Sequence, residues 1–186
     1  MQSVAILAGG EARRFGGRDK GALVVDGRTI VERQIAELST VTPDVRVIRR
    51  EDDLVPGCGP LGGLHAALNA ARGDQLFLVA CDMPFVTAAL AAYLLMLAGD
   101  ADAVVPRTDR GYHPLCAVYG RRACLPAVER RLAERRLKML DLLHDLRVRE
   151  VTADDLGRFG RCDRLLANVN TPAEYVELEA LRDHRR

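Results

Sequence analysis

Leu7-Ala8-Gly9-Gly10-Glu11-Ala12-Arg13-Arg14-Phe15-Gly16-Gly17-Arg18-Asp19-Lys20 is the stretch whose reading decides the fold. The run leading into it, Ser3 to Leu7, is short and apolar, as a strand buried on both faces is. Gly9 and Gly10 then free the backbone for positive φ and let peptide N–H groups face an anion with no Cβ in the way. Arg13, Arg14, Arg18 and Lys20 supply positive charge. A buried strand feeding a glycine-rich cationic loop suits a triphosphate. A plain basic surface turn would account for the glycines or the arginines singly, but not for both directly after a buried strand.

Two common phosphate loops are excluded. No Gly-x-Gly-x-x-Gly follows the strand, and Lys20 precedes Gly21 rather than Ser or Thr, so neither the dinucleotide fingerprint nor the P-loop pattern is met.

Working outward, apolar strand-like runs alternate with helix-like periodicity over the first hundred residues, which predicts a mostly parallel α/β sheet with right-handed crossovers. Val45–Ile48 and Leu76–Ala80 read as strands, and Thr29 caps a helix beginning at Ile30. Helices are expected over 61–71 and 87–97. A further strand is expected over His113–Tyr119, then helices near 123–135 and 138–146 and an edge strand over 147–151. In such sheets ligands sit beyond the carboxyl ends of the strands. Three segments deliver polar groups there: the Leu7–Lys20 loop, Asp82 in Cys81-Asp82-Met83-Pro84, and a late strand-like segment, Asn168-Val169-Asn170.

Asp82 ends an apolar strand. A hard cation such as Mg²⁺ takes one or two carboxylates plus substrate phosphates, although an aspartate here also suits a turn cap. Gly59-Pro60-Leu61-Gly62-Gly63 opens a helix whose small residues let a planar base lie against backbone; close helix–sheet packing needs the same glycines. Asn168 and Asn170 alternate around Val169 and so should point one way. Thr171, Pro172 and Glu174 are explained by helix initiation alone. His113 reads equally as an acceptor contact or a strand-edge histidine. His65 reads as an exposed or hydrogen-bonded helix residue. Arg130, Arg131, Arg135, Arg136 and Lys138 read most simply as a solvated helix face, with phosphate binding by a partner molecule as the lesser alternative.

The 186 residues, 48% hydrophobic and 28% charged, suffice for a single domain over 1–186 that buries roughly 70% of its unfolded surface. The formal net charge of +1 gives no reason to expect a nucleic-acid or membrane binder. Five cysteines without a Cys-x-x-Cys fit reduced thiols in the cytoplasm better than a disulfide or zinc framework. No signal peptide or membrane span is expected.

Together these motifs resemble the molybdenum cofactor guanylyltransferases of the nucleotidyltransferase superfamily. The resemblance covers most of the chain in order: Leu7-Ala8-Gly9-Gly10 with Arg14 and Lys20, Gly59-Pro60-Leu61-Gly62-Gly63, Cys81-Asp82-Met83-Pro84, His113-Pro114-Leu115, and Asn168-Val169-Asn170-Thr171-Pro172. It implies a Rossmann-like three-layer sandwich of the nucleotidyltransferase, glycosyltransferase-A-like type. It implies GTP and a molybdopterin-type acceptor as substrates, Mg²⁺ as cofactor, and cofactor-delivery or acceptor enzymes as further partners. On the family pattern Leu7, Ala8, Gly9, Gly10, Lys20, Asp52, Gly59, Pro60 and Leu61 contact GTP, with Asp82 also holding the metal. Asp82, Lys20 and Arg14 carry catalysis, and Asn168, Asn170 and His113 face the acceptor. The family's usual strand-end asparagine has no counterpart between Val45 and Asp53, and Asp53 competes with Asp52 for the place of the GTP-contacting aspartate. The residues also admit transfer to another acceptor, as in a cytidylyl or sugar-phosphate enzyme, or a nucleotide-binding regulator without turnover.

Overall fold

The computed structural model describes residues 1–8, 23–25 and 27–180. Its sheet is centred on the two most apolar strands, β1 (Gln2–Leu7) and β5 (Gln75–Ala80), which run parallel in register from Gln2↔Gln75 to Leu7↔Ala80. Residues Val4–Ile6 and Leu76–Val79 are at most 1% exposed, as continuous apolar runs covered on both faces should be.

β1 is flanked on its other side by β4 (Val45–Ile48), also parallel. Beyond β5 lies β8 (Cys116–Gly120), antiparallel, and then β6 (Ala103–Thr108), which returns to the common direction. β6 also carries the parallel β9 (Val148–Val151) and the short antiparallel β7 (Gly111–Tyr112). The sheet is therefore mostly parallel, with β8 and β7 reversed. A separate ribbon, β2 (Val24–Val25) with β3 (Arg28–Thr29), turns at Gly27, where φ is +76°.

Alternation along the strands builds the three layers. Val4, Ile6, Phe77, Val79, Val104, Cys116 and Val118 face one side, against α1 (Ile30–Leu38) and α3 (Ala88–Met96). Ala5, Leu76, Leu78, Ala103, Val105, Ala117 and Tyr119 face the other, against α2 (Gly59–Ala70), α4 (Arg121–Ala133) and the short α5 (Met139–Leu142). Two single-turn helices, α6 (Ala153–Leu156) and α7 (Cys162–Leu165), close the first face through Leu156 and Leu165. The last helix, α8 (Pro172–Ala180), docks through Tyr175, which stacks on Phe85 with ring centroids 5.0 Å apart.

Local chemistry explains the starts of these helices. Thr29 and Glu32 form a reciprocal capping box on α1, and the Thr87 hydroxyl accepts from Leu90 N–H at the start of α3. α2 begins at Gly59, two residues before the expected Leu61, because Pro60 in the first turn lacks an N–H that would go unpaired there anyway.

Three sequence expectations change. The segment Asn168–Asn170 is irregular rather than a strand, since its Val169 N–H is taken by the Asp82 carbonyl at 2.7 Å. β8 starts at Cys116, so His113 lies in the preceding turn, where its N–H donates to the Pro106 carbonyl. Arg131 is not on a solvated face. It is 1% exposed, with Nε donating to Asp145 Oδ2 at 2.7 Å.

Candidate active site

The carboxyl ends of β1 and β5 are tied to each other and to their neighbours. The Cys81 N–H donates to the Leu7 carbonyl at 2.9 Å, Ala8 N–H to Ile48 O at 2.8 Å, and Ala80 N–H to Leu115 O at 2.9 Å. One edge thus gathers Leu7 and Ala8, the Asp82 turn and the His113–Leu115 turn. Gly9, Gly10, Arg14 and Lys20, which continue from Ala8, lie outside the described residues.

Asp82 is half-buried at this edge. Asn168 Nδ2 donates to Asp82 Oδ1 at 3.0 Å, which brings the early carboxylate and the late asparagine together across 86 positions of sequence. Val169 between the two asparagines is fully buried in the small cluster of Ile30, Phe85 and Tyr175, whereas Asn168 and Asn170 are exposed. The Asn170 N–H donates to Glu174 Oε2 at 2.7 Å, tying it to the start of α8.

The Asp82 turn is held by a residue that sequence reading missed. Gln34 on α1 is 2% exposed, and its Nε2 donates to the carbonyls on both sides of Asp82, to Ala80 at 2.9 Å and Met83 at 3.0 Å. The signal was present in the spacing: Ile30, Gln34 and Leu38 recur every four residues on the buried face of α1, and a polar residue on that stripe needs a partner.

The first turn of α2 reaches the same edge. A Cβ on Gly63 would stand 3.1 Å from Leu7 Cδ2, so glycine lets the helix press against the end of β1. Gly59 adopts φ +57° with open space around it, and Gly59 and Pro60 are exposed. The Leu61 side chain is fully buried, which leaves only its backbone for a ligand.

Asp52 and Asp53 differ sharply. Asp52 is exposed, and its carboxylate accepts from Arg49 N–H at 2.8 Å, capping a short 3₁₀ turn over Arg50–Asp52. Asp53 is half-buried, with Oδ2 3.5 Å from where a Gly62 Cβ would stand. Burial pushes its carboxyl above the usual range, helped by the Asp52 charge and opposed by Arg50.

His113 is half-buried, and its Nε2 shares a hydrogen with Thr108 Oγ1 at 2.8 Å. Burial, then the nearby Arg110 charge, lowers its pKa and favours the neutral ring. His65 is buried on α2, 3.6 Å from Glu129 of α4, so it belongs to helix packing.

The Asp82–Asn168 pair offers a carboxylate and an amide oxygen. That donor set suits a hard divalent ion completed by phosphate oxygens. Among the described residues no group of three or more His, Cys, Asp or Glu side chains converges. Among them, too, no helix is long and apolar enough to cross a membrane.

The MobA-like NTP transferase domain matches residues 4–150. The molybdenum cofactor guanylyltransferase of Desulfosudis oleivorans is 35% identical over 94% of this chain and 93% of its own. A probable molybdenum cofactor guanylyltransferase of Pelotomaculum thermopropionicum is 33% identical over 97% of this chain and 93% of its own. Among solved structures, molybdopterin-guanine dinucleotide biosynthesis protein A from Archaeoglobus fulgidus superposes with a TM-score of 0.74, at 28% identity over 97% of this chain and 98% of its own.

Proposed function

The chain belongs to the MobA-like NTP transferase family, and on that premise we propose that it transfers GMP from GTP to the terminal phosphate of a molybdenum-bound molybdopterin. The products are the guanine dinucleotide cofactor and pyrophosphate. The observation that carries this reading to particular residues is the hydrogen bond from Asn168 to Asp82, which joins the nucleotide-side turn to the expected acceptor-side segment.

The chemistry asks for positioning rather than for a base. A phosphate monoester oxygen is already anionic at neutral pH, so it can attack the α-phosphorus in line with departing pyrophosphate without losing a proton to the protein. Leu7, Ala8, Gly9 and Gly10 offer backbone N–H groups to the triphosphate. Arg14 and Lys20 neutralise it and stabilise the charge that develops on the leaving group. Asn168, Asn170 and His113 line the acceptor side, with the neutral His113 ring fixed by Thr108. The family is served by a divalent metal; Mg²⁺ held at Asp82 would supply charge neutralisation at the α-phosphate. Asp53, rather than the cap residue Asp52, is the carboxylate turned toward α2 and the base. One domain over 1–186 in the cytoplasm suits such an enzyme.

The test is incubation of the protein with labelled GTP or CTP, Mg²⁺ and molybdenum-bound molybdopterin. Labelled guanine dinucleotide and pyrophosphate are expected from GTP. A cytosine dinucleotide formed preferentially from CTP would reject the guanylyl assignment, and binding without turnover would reject the enzyme.

A further inference from the structure

The end of α4 carries a feature that helix packing does not require. Arg135 has φ +56°, the one non-glycine residue with positive φ among the described residues. It occupies the left-handed position just past the helix. Its N–H donates to Leu132 O at 3.1 Å, and the next N–H, of Arg136, reaches back to Arg131 O at 2.9 Å. Glycine is the usual occupant of that position, because a Cβ there is disfavoured.

The chain path carries this residue to the nucleotide edge. α4 leaves β8 at Gly120, which pairs with Gln75 at the start of β5, and so runs from the amino edge of the sheet back toward the carboxyl edge. There Arg135 Nη1 lies 3.7 Å from Cys58 Sγ, at the N-cap of α2. Its neighbours are spoken for: Arg130 and Arg131 by Asp145, Arg136 by Glu134. Among the described residues no carboxylate pairs with Arg135.

Cys58 and Gly62 stand one turn apart on the same side of α2, close enough that a Gly62 Cβ would meet Cys58 Cβ at 3.1 Å. The same Gly62 position lies 3.5 Å from Asp53 Oδ2. A carboxylate and a guanidinium therefore flank one face of the first turn of α2. Among the described residues no hydrogen bond or ion pair reaches the Asp53 carboxylate either.

We propose that Arg135 is a specificity-determining residue that reads the O6/N7 edge of guanine, opposite Asp53 on the N1–H and N2–H₂ edge. This rests on the guanylyl-transfer reading above. A guanidinium forks onto O6 and N7 with two parallel hydrogen bonds. The carboxylate accepts from the two guanine donors. Adenine would set its N1 lone pair against the Asp53 carboxylate and its N6 amine against Arg135, so both partners reject it. The strained backbone is kept because glycine there would supply no reader.

Calorimetric titration of wild type, Arg135→Gly and Arg135→Lys with GTP, 7-deaza-GTP and ATP tests the idea. Wild type should bind GTP more tightly than the other two. Arg135→Gly should weaken GTP by roughly 10- to 100-fold, the range expected for losing a bidentate base contact, weaken 7-deaza-GTP, which keeps O6 but lacks N7, by distinctly less, and leave ATP nearly unchanged. Its melting temperature should stay level or rise, because glycine suits the left-handed position. Arg135→Lys keeps the charge and loses the fork, so the GTP preference should fall there too. A GTP to 7-deaza-GTP ratio that is near one in wild type, or unchanged in Arg135→Gly, overturns the proposal. Equal weakening of all three nucleotides also overturns it, by moving Arg135 to the phosphates. A wild type without preference for GTP over ATP overturns this inference and the guanylyl reading together, whereas an unchanged ratio in a GTP-selective protein overturns this inference alone.

Discussion

Asp82 is held in place from three sides. Its carbonyl accepts from Val169, its carboxylate accepts from Asn168, and the carbonyls before and after it are held by Gln34. A side chain fixed in this way is pre-placed for charge that appears only in the transition state. Asp82→Asn keeps the shape and can still accept from Asn168, but loses the negative charge. Removing one pre-placed electrostatic group typically costs on the order of 10²–10³ in rate, about 3–4 kcal/mol. Single-turnover GMP transfer at saturating Mg²⁺ is the measurement, with GTP binding followed in parallel. Binding should survive while the rate falls. A rate within a few-fold of wild type would reduce Asp82 to a turn residue. Gln34→Met removes both clamping hydrogen bonds at nearly constant volume. The Ala80 carbonyl keeps the Met83 N–H, but the Met83 carbonyl loses its partner, which costs about 1–3 kcal/mol, so the melting temperature should fall. The half-saturating Mg²⁺ concentration should rise with little change in GTP affinity, because the clamp acts on the Asp82 turn. Loss of stability with an unaltered Mg²⁺ requirement would leave Gln34 a packing residue only.

Among the elements, β1, β4, β5 and the helices capped by Thr29 and Thr87 were legible in the sequence, because buried runs and caps are local signals. The insertion of antiparallel β8 between β5 and β6 was not, since strand order is set by packing between distant segments. Asp82 and Asn168 were legible as candidates, each by its place after an apolar or alternating run. Gln34 was legible only as a polar residue on a buried stripe, without its tertiary partners, and Arg135 is marked by a backbone angle that no residue type announces. Gly73, too, owes its identity to a neighbour far from it in sequence. It lies just before β5, where an added Cβ would stand 2.4 Å from the Met1 carbonyl oxygen. That oxygen is backbone and already accepts from Asp74 N–H at 3.1 Å, while the Gly73 N–H donates to Ser3 Oγ at 2.8 Å. Gly73→Ala must therefore push the start of β1 away from β5. Overpacking of this kind typically costs about 1–3 kcal/mol. Urea titration should show a lower midpoint with an unchanged slope, and an unchanged midpoint would mean that the amino end of β1 yields without resistance.

The whole molecule is polarised, with chemistry at the carboxyl edge of the sheet and a structural clamp at the amino edge. Asp44 is that clamp: its carboxylate accepts from the Ser3 hydroxyl, from Arg72 N–H at 3.1 Å and from Arg46 Nε at 3.1 Å, joining β1, β4 and the turn before β5. Burial alone would raise the Asp44 carboxyl, but these partners outweigh it and hold the pKa below the usual value. On the other face Asp145 is held low mainly by its hydrogen bond from the buried Arg131. A carboxylate whose folded pKa is depressed contributes stability that is fully present above its unfolded value, about 3.9, and is lost as pH falls through the folded one. Both aspartates act in the same direction, and both join elements of one continuous sheet and its helices. The chain should therefore unfold as one unit, with far-UV ellipticity and tyrosine fluorescence sharing a midpoint. That midpoint should ease downward as pH falls through about 6.5, where the unfolded chain protonates His113 and the folded one resists, and drop steeply below about 4. Asp44→Asn should melt lower at pH 7, because the Arg46 and Arg72 donors lose a charged acceptor, and should show a shallower acid limb, because one of the titrating groups is gone. A wild-type midpoint that stays flat or rises below pH 4, or an Asp44→Asn acid limb as steep as wild type, would move the acid sensitivity away from the amino edge. Since Asp44 sits at the opposite end of β1 from Leu7, the same substitution should leave GTP affinity intact at neutral pH, which separates the clamp from the site.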